Sequence, residues 1–448
     1  MPNINFKQIT LLLLLSCLFW NCGMESTAKE KVAVGTIPDK VATTTTTSPP
    51  ISAVSDNSIS LPGNFNAYLV VEAAGRARQM AIRENGDIYV QLSKNKKGKG
   101  MVALRDTDGD IKADEIVYFG KNTGTGMAIY EGHLYCSSPT EVFRYPLKEG
   151  TLVPDEAEKT LIVGGFPKQQ QHDAKSMTFD KDGHIYVNVG APSNACMTKA
   201  RTKGSPGLDP CPQLDRQAGI WQFDATRPAQ TQQKDGLRYA TGIRNGMALD
   251  WNHQTNSLYA VQHGRDQLAT FFPELFTDKE SAEFPAEEFF QIDKGDDFGW
   301  PYCFYDGQKN QKLLSPEYGG DRVKTGRCAG MKDPIVAFPG HLAPNDLLFY
   351  TGNQFPERYK NGAFIAFHGS WNRAPEPQKG YFVVFVPFKE GQPYGDWEIF
   401  AEGFAGMELV KSSRDAKHRP MGLAQGPDGA LYIADSVKGK IWKVRYSG

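Results

Sequence analysis

The chain has few cysteines, no surplus charge of either sign and no long hydrophobic run. Its 448 residues carry 50 Lys+Arg against 51 Asp+Glu, so no global basic field suits it to nucleic acid. The one strongly apolar stretch, ITLLLLLSCLFW near the N-terminus, is short for a transmembrane helix and runs into polar residues rather than a stop-transfer pattern. Among the 7 cysteines no CxxCH spacing occurs, so the chain has no haem-attachment motif to relay electrons internally.

What is there begins with that apolar stretch. Lys7 ahead of it and Cys22-Gly23 after it read as a secretory signal over 1–21, with Cys22 placed like the lipidated cysteine of a bacterial lipoprotein. The expected location is therefore outside the cytoplasm, periplasmic or at the cell surface, with a lipid anchor as the only membrane contact. Residues 22–60, which include TTTTTSPP, have too few apolar groups to offset their ordering entropy and read as a flexible tether. In an oxidising compartment, proximity pairs Cys196 with Cys211 and Cys303 with Cys328 and leaves Cys136 buried and alone in a strand.

From residue 61 onward a repeat organises the chain. MAIRENGDIYV from Met80, MAIYEGHLYC from Met127, MTFDKDGHIYV from Met177, MALDWNHQTNSLYAV from Met247, a longer version from Leu347 and MGLAQGPDGALYIA from Met421 each place two short runs of β-formers around a Gly-containing turn. That is the signature of a β-hairpin. Six such hairpins in series predict an all-β, six-bladed β-propeller over 61–448. FNAYLVV, at Phe65 to Val71, precedes the first repeat, whereas no fourth strand follows IWKVRY in the last, so an N-terminal strand is expected to close the ring.

Radial hairpins bring the residues ahead of each first strand to one mouth. Those positions hold Arg78, Thr125, His172 and Lys175, Arg244 and Asn245, Asn345 and Asp346, and Arg419. Three arginines in one register repel each other unless an anion lies among them, and guanidinium binds carboxylates by paired hydrogen bonds. The ring suits a small ligand carrying several carboxylates or phosphates. Trp371, in HGSWNR, offers a flat wall to a planar one.

The segments HDAKSMTFDKDGHIYVNVG, GIRNGMALDW, QHGRDQL, EEFFQIDKGDDFGWPYC, HGSWNR and HRPMGLAQGPDGALYIAD together resemble the pyrroloquinoline quinone (PQQ)-dependent sugar dehydrogenases of the glucose/sorbosone dehydrogenase family. GWPYC and GSWNR are most similar to the sorbosone-dehydrogenase-like branch. The resemblance implies the same six-bladed fold, PQQ and calcium as cofactors, and oxidation of an aldose or related polyol or aldehyde. It implies His172 as general base with hydride passing to the quinone, and Arg78, Arg244, Asn245 and Arg419 on the cofactor. It places the main-chain carbonyls of Gly264 and Arg265 on the calcium, a hard cation that takes oxygen ligands and polarises the quinone. A separate electron carrier then receives the electrons. One position departs from the pattern: where the glucose branch has an aspartate supporting the histidine, this chain has Ala191, and Asp173 is the nearest substitute.

Asp106, Asp108 and Asp110, with Asp114 after them, alternate as calcium-loop carboxylates do, but without the sixth-position glycine or twelfth-position acid of an EF-hand. Structural calcium and a solvated acidic turn both fit. Two other functions fit a six-bladed propeller. A calcium-dependent lactonase-type hydrolase wants inward carboxylates and amides, to which Asn245, Asn345 and Asp346 contribute, but three arginines oppose a bare dication. A non-catalytic surface-binding propeller needs neither His172 nor a calcium-holding loop.

Overall fold

The computed structural model describes residues 55–448 and the two-residue strand Ala33–Val34. The signal segment, Cys22 and most of the expected tether lie outside the described residues.

Among the described residues, six sheets, each with four antiparallel strands and two with a short parallel fifth, make the all-β six-bladed propeller. Blade 1 is built from Ala77–Ile82, Ile88–Lys96, Lys99–Arg105 and Glu115–Phe119. Blade 2 follows with Met127–Tyr130, His133–Ser137, Val142–Pro146 and Thr160–Gly164. Met177–Phe179, His184–Val189, Gly219–Asp224 and Leu237–Thr241 form blade 3. Blade 4 has Ala248–Asn252, Ser257–Gln262, Glu287–Ile292 and Val336–Phe338, and blade 5 has Pro344–Phe349, Ala363–Phe367, Phe382–Val386 and Glu398–Ala401. In blade 6, Pro420–Gln425, Leu431–Asp435 and Ile441–Tyr446 are completed by Phe65–Val71, which pairs antiparallel with the last strand, Phe65 opposite Tyr446. This leaves the first and last segments no free edge toward each other.

Each repeat supplies the inner two strands of its blade, as in blade 3, where Met177 faces Val187 and Phe179 faces Ile185. The turn glycines Gly86, Gly183 and Gly429 have φ of 92°, 89° and 78°, a left-handed conformation that glycine takes without steric cost.

Both faces of every blade are covered by a neighbour, which is why strands such as AFIAF and FVVFV are apolar throughout rather than alternating. The core is thus a set of layers between blades. Between blades 3 and 4, Tyr186 and Ile220 meet Leu249, Trp251 and Phe290. Between blades 5 and 6, Phe364, Phe385 and Phe400 meet Leu431, Ile433 and Trp442. The recurring tyrosine has a further use: Tyr89 donates to the Leu152 carbonyl (2.9 Å), Tyr135 to Ala225 (2.8 Å) and Tyr259 to Gly391 (2.7 Å), so each ring fills an interblade layer and each hydroxyl reaches the next blade. Blade 5 has Phe364 at that place in the repeat, and Tyr350 makes the equivalent link to Gly429 at 2.7 Å.

The innermost strands surround an axial cavity of about 500 Å³. Here polar side chains bind each next blade. Thr178 accepts from the Trp251 amide (3.1 Å), Asp250 from Phe349 (2.8 Å) and Asp346 from Leu423 (2.8 Å).

Disulfides join Cys196 to Cys211 and Cys303 to Cys328, and Cys136 is buried and unpaired, as expected. The two disulfide-closed inserts also bond to each other, Gly207 donating to the Glu317 carbonyl at 2.9 Å.

Candidate functional site

The mouth forms where the loops ahead of the six inner strands converge. Arg78 of blade 1 reaches across to Met247 of blade 4, Nη2 to Sδ 3.8 Å, and Asn345 of blade 5 reaches Met421 of blade 6 at 3.1 Å. Ala174, Met247 and Met421 form a small apolar cluster at its centre.

His172 stands on the loop before blade 3 in a left-handed conformation, φ 51°. Its Nδ1 lies 2.7 Å from the Ala191 carbonyl oxygen. A carbonyl only accepts, so Nδ1 carries the proton and Nε2 keeps its lone pair. The Gln169 side-chain amide donates to the carbonyls of Gln171, His172 and Gly190 at 2.8, 2.8 and 3.0 Å, tying the histidine loop to the strand end that carries Ala191. Gly190 allows this approach, since a Cβ there would lie 2.6 Å from the His172 Cβ and 2.9 Å from the Asn245 Oδ1. Burial first, and then the Arg244 guanidinium, pull the His172 pKa down to about 3, so the ring is neutral at physiological pH. Where the resemblance led to an aspartate beside the histidine, the partner here is a main-chain oxygen. Asp173 is exposed and makes no hydrogen bond to His172 among the described residues.

Arg244 is buried and engaged by protein. Its Nη2 meets Asp266 Oδ2 at 2.5 Å and Asn194 Oδ1 at 3.0 Å, and its Nη1 faces the His263 carbonyl at 3.4 Å. Asp266 also accepts from Asn372 Nδ2 at 2.8 Å. Burial alone raises the Asp266 pKa, but Arg244 and His341 outweigh it and hold the carboxyl well below its usual range. Asp266 and Asn372 lie within QHGRDQL and HGSWNR, but nothing in those segments shows that residues 106 apart meet. Gln169, Asn194 and His341 carried no signal in the sequence.

Asn245 is buried beside Arg244, its Oδ1 accepting from Asn188 at 3.2 Å. Arg419 donates to the carbonyls of His368, at 3.1 Å, and Gly369. Arg78 donates to Thr125 Oγ1 at 3.2 Å. Neither Arg78 nor Arg419 has a carboxylate within ion-pair distance among the described residues. Burial lowers the Arg78 pKa to about 10, which leaves it charged. His368 is held neutral by burial and by Arg419 and Arg78. Trp371 stands 55% exposed in the loop after the second strand of blade 5.

At the exit of blade 4, Gly264 donates its amide to Glu287 at 2.8 Å, and a Cβ on it would lie 2.3 Å from the Ala286 carbonyl, so only glycine fits. Among the described residues the carbonyls of Gly264 and Arg265 accept no hydrogen bond. Two open carbonyls next to the Asp266 carboxylate suit a hard cation. The Arg265 side chain points elsewhere and pairs with the buried Glu317 at 2.7 Å.

The acidic loop lies in blade 1, between its third and fourth strands. Asp106, Asp108 and Asp114 bring one oxygen each within 4.8 Å of one another, and Asp110 is outside this group. Their carboxylates also accept from amides of the same loop, as Asp106 does from Gly109 and Ile111. The residues a lactonase-type cation needs are each engaged by protein: Asn245 serves Asn188, Asn345 serves His263 and Met421, and Asp346 faces Gln79 and two amides.

Comparison with known proteins agrees with this architecture. The chain is 28% identical over 336 residues to an uncharacterised protein of Borreliella burgdorferi, covering 72% of this chain and 75% of that one. It is 26% identical over 170 residues to the pyrroloquinoline quinone-dependent pyranose dehydrogenase of Coprinopsis cinerea, a match covering 33% of this chain and 22% of that protein. The PQQ domain of that dehydrogenase, in its holo form, superposes with a TM-score of 0.68 at 17% identity, covering 86% of this chain and 97% of the domain. A carbohydrate-active enzyme of family AA12 from Trichoderma reesei superposes at 0.70 with 18% identity, covering 90% of this chain and 100% of that one. The TrAA12-like family matches residues 59–447, and the chain belongs to it.

Proposed function

We propose that this protein is a PQQ- and calcium-dependent dehydrogenase that oxidises a sugar or related polyol or aldehyde, with His172 as the general base. The observation that carries this reading is the histidine itself. It is neutral, its tautomer is set by the Ala191 carbonyl, and its Nε2 makes no hydrogen bond among the described residues. Such a nitrogen can take a hydroxyl proton. Arg78 and Arg419, charged and without carboxylate partners, suit a planar tricarboxylate, Asn245 and Trp371 adjoin them on the mouth loops, and the Gly264 and Arg265 carbonyls suit the calcium. When bound, PQQ supplies a two-electron acceptor polarised by that ion. The names of the pyranose dehydrogenase and the AA12 enzyme support sugar oxidation. Kinship to the sorbosone-dehydrogenase-like branch belongs to the same reading, as do export, a lipid anchor at Cys22 and a separate electron carrier.

The test is titration of purified PQQ-free protein with PQQ in calcium, followed by absorbance, and then dye reduction with a panel of aldoses. Binding that weakens in Arg419→Ala, with turnover lost in His172→Ala, supports the dehydrogenase. No PQQ binding in the presence of calcium overturns it.

A further inference from the structure

A second cavity opens at the mouth between blades 1, 2 and 3, and the reading above does not use it. It measures about 270 Å³ and is lined by Arg78, Thr125, Ser138, Asp173 and Lys175, among others. Lys175 is fully buried, yet its ammonium, which has three donors, makes a single hydrogen bond, 2.8 Å to the Asp173 carbonyl. The Phe166 ring lies 5.9 Å from it. No carboxylate is within ion-pair distance of Lys175 or Arg78 among the described residues. Asp173 acts on both only at longer range, and it is the one carboxylate that acts on Lys175, whereas Arg78 also feels Asp346 and Arg419.

A buried cation without an anion is costly, because its lost hydration is not replaced by an opposite charge. Gly124 lines the cavity on its blade 2 side, and Gly126 beside it is closely seated on blade 3, where a Cβ would lie 2.2 Å from the Lys175 carbonyl. The Thr125 and Ser138 hydroxyls add short polar groups of the kind that bind sugar hydroxyls.

We propose that this pocket is a substrate subsite that binds the carboxylate or phosphate of an acidic sugar, with Lys175 as its anchor and Arg78 on its border with the cofactor ring. The sugar identity of the ligand rests on the dehydrogenase reading, whereas the anion preference rests on the pocket alone. The other source of the same chemistry is a carboxylate of PQQ.

Calorimetric titration of the PQQ-free protein with glucuronate, glucose 6-phosphate and glucose separates these. The expected result is that one of the two anionic sugars binds at least about tenfold more tightly than glucose, that salt weakens it, and that Lys175→Met removes the preference while changing PQQ affinity less than about twofold. Equal binding of glucose and both anions overturns the proposal, as does a Lys175→Met protein that loses PQQ affinity. Should that variant fail to fold, competition in the wild type decides: an anionic sugar that binds together with PQQ supports a separate subsite, and one displaced by PQQ overturns it. Anion-selective binding in a protein that reduces no dye with PQQ and calcium supports the pocket and sinks only the dehydrogenase reading.

Discussion

His172 Nδ1 and the carbonyl oxygen of Ala191 lie 2.7 Å apart, across two strand ends that Gly190 lets come together. A neutral carbonyl orients the imidazole as a carboxylate does, but it brings no negative charge to stabilise the protonated ring. Arg244 adds a penalty to that protonation. The ring is therefore held in one orientation and resists protonation, although Asp266, paired with Arg244, already offsets part of that penalty.

His172 should remain neutral down to about pH 3 in the PQQ-free protein, its Nδ1 protonated throughout, as ring-nitrogen NMR can show. An imidazole that instead titrates near its ordinary value of about 6.5 contradicts the burial argument. His172→Asn should lower kcat by roughly 10²–10⁴-fold with the fold intact.

Gly190→Ala should reach the same machinery by a different route. The added Cβ would meet His172 and Asn245 at once, so turnover and PQQ affinity should fall together. Unchanged kcat means that the loop accommodates the methyl and does not depend on the close approach.

Removing the Asp266 charge should unfold rather than merely weaken the site. Asp266→Asn leaves Arg244, 3% exposed at its side chain, without its carboxylate. Breaking a buried pair in this way costs about 3–5 kcal/mol, readable as a lower denaturant midpoint. A loss below about 1 kcal/mol would show that Asn194 and the His263 carbonyl suffice for the guanidinium.

The interblade tyrosines should each contribute through one hydroxyl. Tyr135→Phe keeps the ring in its layer and leaves the Ala225 carbonyl unpaired, a cost of about 1 kcal/mol. Thermal unfolding of this variant measures it.

Burial raises the pKa of Asp250 to about 7 and of Asp346 to about 8, against the pull of the amides that donate to them. Groups raised in the folded state keep protons that the unfolded chain releases. Their contribution is complete below about pH 4 and is lost as pH rises toward 8. Relative to a variant carrying Asp250→Asn and Asp346→Asn, the wild type should therefore lose thermal stability across that range. A flat difference means that the amide donors win and both carboxylates are ionised from low pH.

The repeats by themselves determined the six blades, because each hairpin carries its own signal in strand residues and a turn glycine. Local spacing was enough for both disulfide pairs as well. The sequence also brought Arg78, His172, Arg244 and Arg419 to one mouth, since their register follows from the repeat. It did not reveal where their side chains point. Arg244 turns to Asp266, His172 to a backbone oxygen in place of the absent aspartate, and Arg265 away to Glu317, because each choice depends on loops from different blades. Lys175 illustrates the same division: its position is part of the repeat, but its burial beside an open cavity exists only once blades 1, 2 and 3 have come together, with Gly126 seated against the Lys175 carbonyl.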